Sequence, residues 1–143
     1  EASGQEISPQ EIWDLFEKTY LKLPSPLILK TFSIEKNGGK ERVSGSIDLN
    51  GQEFQVQGQG SGMLAAFSDA LQNTLDIEFQ VLEYGEHALS QSSTAEAVTY
   101  IQLKHENARY TGIAVNEDIV TSSVNALLNG VAQIMQARKR MAA

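Results

Sequence analysis

The amino-acid sequence predicts an α+β fold in which two βββα units follow one another as an internal duplication. Three runs of alternating apolar and polar residues, typical of half-buried strands, lie between residues 27 and 60, and three more lie between residues 77 and 116. Each set precedes a stretch whose apolar residues are spaced three or four apart, as in an amphipathic helix. We therefore expect two antiparallel meanders, each partly covered by a helix, because one face of each meander must be buried.

A helix is also predicted ahead of the first unit. Ser8 suits the N-cap, Pro9 the first helical position and Glu11 the capping-box position. The prolines of LPSPL, residues 23–27, end this helix, because proline lacks an amide donor and restrains the residue before it. The predicted division is an N-terminal helix and linker at 1–26 and a βββα-βββα domain at 27–143.

The first unit contains a strong hairpin signal. Asn-Gly at 50–51 separates two alternating runs, and such a dipeptide favours a two-residue hairpin turn. A third strand ends at the glycines near residue 60, and a helix follows. The predicted inward residues of this unit are Ile28, Phe32, Ile34, Val43, Ile47, Leu49, Phe54, Val56, Leu64, Phe67, Leu71 and Leu75.

The second unit repeats that order. Strands are predicted at 77–89, 94–105 and 108–115, with a tight turn at Glu106-Asn107, and a final helix begins near Glu117. The predicted inward residues are Ala97, Thr99, Ile101, Leu103, Val120, Val124, Leu127, Leu128, Val131 and Ile134.

The composition excludes several classes of partner. A net charge of -7 at pH 7 argues against nucleic acid and against an anionic membrane surface, because both require a positive footprint. No window has the roughly 18 apolar residues of a membrane span, and the first ten residues lack the pattern of a secretory signal. The absence of cysteine excludes disulfides and thiolate metal sites and fits a cytoplasmic protein.

The stretch GQGSG, residues 58–62, suggests anion binding, but two common phosphate motifs do not fit. A dinucleotide fingerprint needs glycine at 63, where the sequence has Met63, and no Gly-Lys-Ser/Thr follows as a P-loop requires. Free amides near Gly60, Gly62 and Met63 could instead bind a carboxylate. The alternative is a strand-to-helix corner that needs glycine only for its positive φ angles.

The sequence gives little support for catalysis. His87 and His105 are solitary and lack metal-binding spacing, and Ser61 is not part of a Gly-x-Ser-x-Gly elbow. His105 falls in the predicted turn and is expected to be solvated. His87 is expected to make a structural hydrogen bond, and residues 89–96 to form a polar loop. No catalytic or metal-binding residue is predicted.

Three stretches together resemble one family: GQGSGMLAAFSDAL from residue 58, VLEYGEHALSQSSTAEAVTYIQL from residue 81 and GIAVNEDIVTSSVNALLNGVAQI from residue 112. They are similar to the C-terminal regulatory domain shared by 2-isopropylmalate synthase and citramalate synthase, which senses the end-product amino acid. The forms GSGMLAAF and YGEHAL look closer to the isopropylmalate synthases, which respond to leucine. Ser61 and Met63 stand where relatives often have Asn and Pro, which implies a looser corner.

The resemblance implies a homodimer that holds leucine at its interface. Amides at the glycine corner would face the effector carboxylate, small side chains would leave room for an isobutyl group, and Tyr84 would cap or hydrogen-bond the ligand. The ten implied effector-binding residues are Gly60, Gly62, Leu64, Ala65, Val81, Tyr84, Ala88, Ala95, Ala97 and Val115.

The resemblance also implies what this sequence lacks. The catalytic TIM barrel of such synthases carries a divalent metal, and nothing in this chain supplies that barrel, so no cofactor and no enzymatic activity are expected here. Three alternatives remain open: an isoleucine-sensing domain of citramalate synthase, a purely structural dimerisation domain, and a small enzyme that uses His87.

Overall fold

A computed structural model describes residues 10, 11, 14, 27–88, 97–116 and 118–142, with the backbone alone at positions 87, 88, 97, 141 and 142. Within these residues the chain forms two successive βββα units, as predicted. The elements are β1 (Leu27–Asn37), β2 (Lys40–Leu49), β3 (Gln52–Gly60), α1 (Met63–Leu75), β4 (Gln80–Ala88), β5 (Ala97–His105), β6 (Ala108–Asn116) and α2 (Ile119–Ala142).

The segment ahead of the first unit is described at three positions. Gln10, Glu11 and Asp14 are helical, and the Gln10 side-chain amide donates a hydrogen bond to Asp14, 3.0 Å away. The rest of the predicted N-terminal helix and the predicted linker lie outside the described residues. The division at residue 26 therefore remains a prediction.

The first sheet has the order β1-β2-β3, with both neighbouring pairs antiparallel. Asn50 and Gly51 both have positive φ angles, 52° and 90°, which is the backbone that a tight hairpin between twisted strands requires. The prediction that Ile28 points inward is wrong, because its side chain is 53% exposed. A bulge between Leu29 and Thr31 shifts the alternation of β1, so Leu27 and Leu29 are the apolar residues that pack on the core.

The second sheet has the order β4-β5-β6 and is also antiparallel. Glu106 has a φ angle of 57° in the β5–β6 turn, as a two-residue turn requires. β4 begins at Gln80, three residues later than predicted, although Ile77 and Phe79 ahead of it are buried.

Each helix covers part of its own sheet. α1 packs mainly on β3 and also on β2, while α2 packs mainly on β6 and β5. Phe67 of α1 meets Phe32 edge to face, with 5.5 Å between the ring centroids. α2 also contacts β1, and buried residues of both units form one hydrophobic cluster. The two halves of the chain therefore share a core.

Matching glycines show the duplication most directly. A side chain at Gly58 would collide with the backbone of Ala66 and Ala70 in α1, and one at Gly112 would collide with the backbone of Ala126 and Gly130 in α2. In each unit a glycine of the third strand therefore lets the helix lie directly against the sheet.

The two units differ in the length of chain between this glycine and the helix residue that it contacts. Ala66 follows Gly58 by eight residues, whereas Ala126 follows Gly112 by fourteen, so this stretch is six residues longer in the second unit. Two of these residues extend β6 to Asn116, and four extend α2 back to Ile119. The first unit therefore lacks the extra helical turn with which the second unit begins its helix.

Candidate functional site

The connection from β3 to α1 is a corner of bare backbone. A Cβ at Gly60 would lie 2.8 Å from the Ala65 backbone, so the strand can pass the helix this closely only with glycine. Gly62 is the N-cap of α1 with φ 112°, and nothing lies within 4 Å of where its Cβ would be. Both positions thus need glycine for a structural reason, and Gly62 also opens onto free space.

The start of α1 has no capping side chain. No side-chain hydrogen bond is made at the N-cap, and the first turn contains no acidic residue. The first helical amide to find an acceptor inside the helix is that of Ala66, which donates to the Gly62 carbonyl oxygen at 3.0 Å. The amides of Met63, Leu64 and Ala65 precede it, and Ala65 is exposed. A partial positive charge at this helix end is therefore accessible to an anion.

The start of α2 is built in the opposite way. The Asp118 carboxylate accepts hydrogen bonds from the Thr121 amide, at 3.1 Å, and from the Thr121 hydroxyl. The Asp118 amide in turn donates to the Asn116 side chain at 2.8 Å. The Thr121 hydroxyl, and then the Thr121 amide, hold the pKa of Asp118 below its ordinary value. Within the described part of the chain, a carboxylate is thus supplied to α2 and none to α1.

A second group of predicted residues lies in the second sheet. Ala88 and Ala97 are register partners across β4 and β5. Tyr84 is four residues before Ala88 in β4, so the two share a face of the strand. Tyr84 is 41% exposed, and its hydroxyl lies 3.0 Å from the Ser123 hydroxyl of α2. Val115 pairs with Val98, one residue out of step with the Ala88–Ala97 pair, and so belongs to the opposite face.

The remaining predicted residues lie apart from this group. Val81 is seven residues from Ala88 along β4, roughly 20 Å at about 3.3 Å per strand residue, which is more than the length of one leucine. Val81 and Leu64 are partly buried and pack on the hydrophobic core. Ala95, with the predicted loop 89–96, lies outside the described residues. The corner at Gly60 and Gly62 belongs to the first unit and the Tyr84 group to the second.

Several buried polar groups in the first half of α2 were not singled out from sequence. Ser122 donates to the Thr99 hydroxyl at 2.7 Å, and Asn129 accepts a hydrogen bond from the Ile113 amide at 3.1 Å. Both are buried, as is Ser123. The signal available was the pair of serines directly before Val124, because polar residues within an apolar helical stripe need hydrogen-bond partners.

The prediction that His105 is solvated is wrong. Its side chain is 12% exposed, and ring atom Nδ1 lies 2.7 Å from the carbonyl oxygen of Glu78. The β5–β6 turn therefore packs against the segment between α1 and β4. Two open clefts of about 370 and 380 Å³ lie beside this contact, lined mainly by charged and polar residues, and neither includes a predicted site residue.

Two structural features are absent from the described residues. No three acidic, histidine or cysteine side chains among them are grouped as a metal ion would require. None of the described helices combines the length and apolar character needed to cross a membrane.

Comparison with known proteins identifies the family. Residues 6–135 match the family described as the LeuA allosteric (dimerisation) domain. The chain is 33% identical over 138 residues to 2-isopropylmalate synthase of Mycobacterium leprae, covering 94% of this chain and 23% of that protein. It is 30% identical over 132 residues to 2-isopropylmalate synthase of Clostridium acetobutylicum, covering 88% and 24%.

These relatives are much longer than the matched region, and this chain spans about a quarter of their length. The family match nevertheless includes all six strands, α1 and most of α2. On this match the chain belongs to the LeuA allosteric (dimerisation) domain family.

Proposed function

We propose that this chain is the leucine-sensing regulatory domain of a 2-isopropylmalate synthase and that leucine binding to it inhibits leucine biosynthesis by feedback. The observation that carries the proposal is the difference between the two helix starts. α1 begins at an open glycine corner without a capping side chain, whereas Asp118 caps α2. The name shared by the relatives and the allosteric description of the family support the same function.

In this proposal the leucine carboxylate accepts hydrogen bonds from the first amides of α1, beside Gly62. The isobutyl group packs on the wall formed by Tyr84 and the Ala88–Ala97 pair, contributed by the same subunit or by its partner in a homodimer. Burial of an isobutyl group against small residues and one aromatic ring would provide most of the affinity.

The leucine ammonium group needs an acceptor, and the contacts of the nearby acids favour one of them. Glu83 accepts a hydrogen bond from the Tyr100 hydroxyl at 3.0 Å, and Asp118 is engaged with Thr121. Glu86 is exposed and shares with Tyr84 one face of β4. We assign the ammonium to Glu86, because its carboxylate can approach a ligand without first losing a protein partner.

Regulation then requires leucine to bind one state of the assembly more tightly than another. A tenfold preference corresponds to about 1.4 kcal/mol. The proposed whole protein is a cytoplasmic acyltransferase whose catalytic barrel holds a divalent metal, and this domain itself uses no cofactor and binds neither nucleic acid nor membrane.

Calorimetry with leucine, isoleucine and valine tests the proposal. Leucine should bind most tightly, because the small residues beside Tyr84 are matched to its side chain. Ala97→Leu should abolish leucine binding while leaving the chain folded, since the added isobutyl group would occupy the space of the ligand. Ala108→Leu is the matched control, because it makes the same change at an exposed position of the same sheet.

Each contrary result has a distinct meaning. No heat with any of the three amino acids would favour a purely structural dimerisation domain. Tightest binding of isoleucine would favour the regulatory domain of citramalate synthase. Normal leucine binding by Ala97→Leu would show that the site lies elsewhere.

A further inference from the structure

We propose that Ser123 is a positioning residue of the effector site, which holds the Tyr84 ring in the orientation that the ligand meets. This inference rests on the proposed function. Its starting observation is the hydrogen bond between the Tyr84 and Ser123 hydroxyls, with 3.0 Å between the two oxygens.

Tyr84 connects an edge strand to a helix that covers mainly the other two strands. β4 is the outer strand of its sheet, and α2 packs chiefly on β6 and β5. Tyr84 pairs with Ile101, so its side chain lies on the face of the sheet that α2 covers, and its hydroxyl reaches Ser123, which is 1% exposed. One end of the side chain is therefore fixed in the protein, while much of the ring remains open to solvent.

The hydrogen bond restricts a ring that would otherwise be free to turn. A tyrosine with 41% of its surface exposed can satisfy its hydroxyl with water in several rotamers. The buried Ser123 hydroxyl favours the one rotamer in which the two groups meet, because a buried hydroxyl without a partner is costly. Ser123 thereby prepares the ring for binding and reduces the side-chain entropy that a ligand would have to remove.

The surroundings of Tyr84 suit an aliphatic ligand. Ile119 lies one helical turn before Ser123, so the two residues share a face of α2, and Ile119 is 51% exposed. In this proposal the fixed ring and Ile119, both partly exposed and both near Ser123, form an apolar strip. A leucine side chain placed on this strip would bury apolar surface of both residues.

Ser122 provides an unusually close control. It is also a serine of α2, it is also 1% exposed, and it also donates a buried hydrogen bond. Its hydroxyl lies 2.7 Å from the Thr99 hydroxyl and 3.4 Å from the Ala114 carbonyl oxygen, and neither acceptor belongs to Tyr84. A general loss of helix packing would therefore appear in both serine variants, whereas a positioning effect would appear only at Ser123.

The experiment compares Ser123→Ala, Ser122→Ala, Tyr84→Phe and the double variant Tyr84→Phe/Ser123→Ala of this chain by calorimetry with leucine. Ser123→Ala and Tyr84→Phe should each weaken binding about five- to tenfold, the range expected for one hydrogen bond. The double variant should bind no more weakly than Tyr84→Phe alone, because both changes remove the same interaction. Ser122→Ala should stay within about twofold of the unmodified chain, a change smaller than loss of one such bond produces.

A second measurement needs no ligand. In the chain with isotopically labelled tyrosine, the Tyr84 ring signals should shift in Ser123→Ala and stay unchanged in Ser122→Ala. Unchanged Tyr84 signals in Ser123→Ala, or additive losses of leucine affinity in the double variant, would overturn the inference.

Leucine binding by the unmodified chain distinguishes failure of the proposed function from failure of the positioning role. If the unmodified chain binds no leucine, the proposed function is contradicted and Ser123 positions no effector residue, whatever the ring signals show. If the unmodified chain binds leucine and Ser123→Ala binds it equally well, only the positioning role is lost.

Discussion

Gly62 and Asp118 each stand directly before a helix and leave its first turn in opposite electrostatic states. Gly62 brings no polar side chain to α1, while Asp118 places a carboxylate on the Thr121 amide of α2. A carboxylate at such a position compensates the unpaired amides and the positive end of the helix dipole. Among the described residues, no side chain provides the same compensation at the start of α1.

Asp118 gives a pH prediction with a definite sign. Because the bonds from Thr121 lower the pKa of Asp118 in the folded state, the stability they provide is fully present above the ordinary pKa of 3.8. It is lost as the pH falls through the lowered folded-state pKa. In an NMR titration the Thr121 amide should therefore shift with a midpoint below 3.8.

Asp118→Asn should keep the N-cap but remove this titration, since an amide cannot ionise. A Thr121 midpoint at or above the ordinary aspartate value would contradict the assigned hydrogen bonds.

At the scale of single residues the sequence predicts positions that depend on local geometry better than positions that depend on remote contacts. The glycine corner is predictable because only glycine suits a tight strand-to-helix bend. His105 is not, because its burial depends on Glu78, which is 27 residues away in the chain. Ser123 is missed for the same reason, since its partner Tyr84 lies 39 residues before it.

The elements show how closely helix and sheet approach each other in the two units. Gly58 and Gly112 each lie under a helix backbone, with no room for a side chain. A helix that lies this near a strand fixes the position of its own first turn. The location of the α1 start, and hence of the open corner, depends on this contact.

Gly58→Ala and Gly112→Ala should each destabilise the chain by about 3 kcal/mol, the upper end of the usual range for overpacking, because the added methyl group meets backbone that cannot easily move. Urea unfolding measures the change. Gly38→Asn is the control, since Gly38 has φ 59° and open space around it, and asparagine tolerates this conformation. Its cost should be about 0.5 kcal/mol, the few-tenths scale of surface substitutions.

Equal stability of Gly58→Ala and Gly38→Asn would show that α1 can move away from the sheet. Destabilisation by Gly58→Ala but not by Gly112→Ala would show that the two units do not share this contact.

The type and order of the elements follow from the sequence, but which residues of each strand face the core does not. Alternation and the Asn50-Gly51 turn are sufficient to predict the meander. The bulge after Leu29 is not visible in that pattern, and it reverses the direction of Ile28. Alternation also does not show that Val115 and the Ala88–Ala97 pair lie on opposite faces of the sheet. The face of each residue depends on the register between strands.

At the scale of the whole molecule the two units are joined through α2. This helix contacts β1 of the first unit, and near its end the Arg138 side chain donates to the Asp76 carbonyl oxygen at 3.4 Å. The 15 residues from Ser123, near Tyr84, to Arg138, at the C-terminal end of α1, span about 22 Å of this helix. A displacement at Tyr84 thus has a continuous rigid element through which to reach the first unit.

The proposed homodimer makes its own prediction. If unfolding includes dissociation, the midpoint of thermal unfolding should rise with protein concentration, because mass action favours the folded dimer. Calorimetric scans over a hundredfold range of concentration would measure this, with sedimentation at the same concentrations as the control for mass. A constant midpoint together with a monomer mass would contradict the dimer.

The six extra residues that extend β6 and the start of α2 have a consequence for the roles of the two units. Duplication alone would give one chain two equivalent helix starts, and hence two places for the same small anion. The second unit has a longer β6 and an earlier helix start, and the Asp118 carboxylate caps that helix, so the two helix starts are not equivalent. Under the proposed function, only the start of α1 responds to the metabolite's concentration, whereas the start of α2 carries its own counter-charge in Asp118.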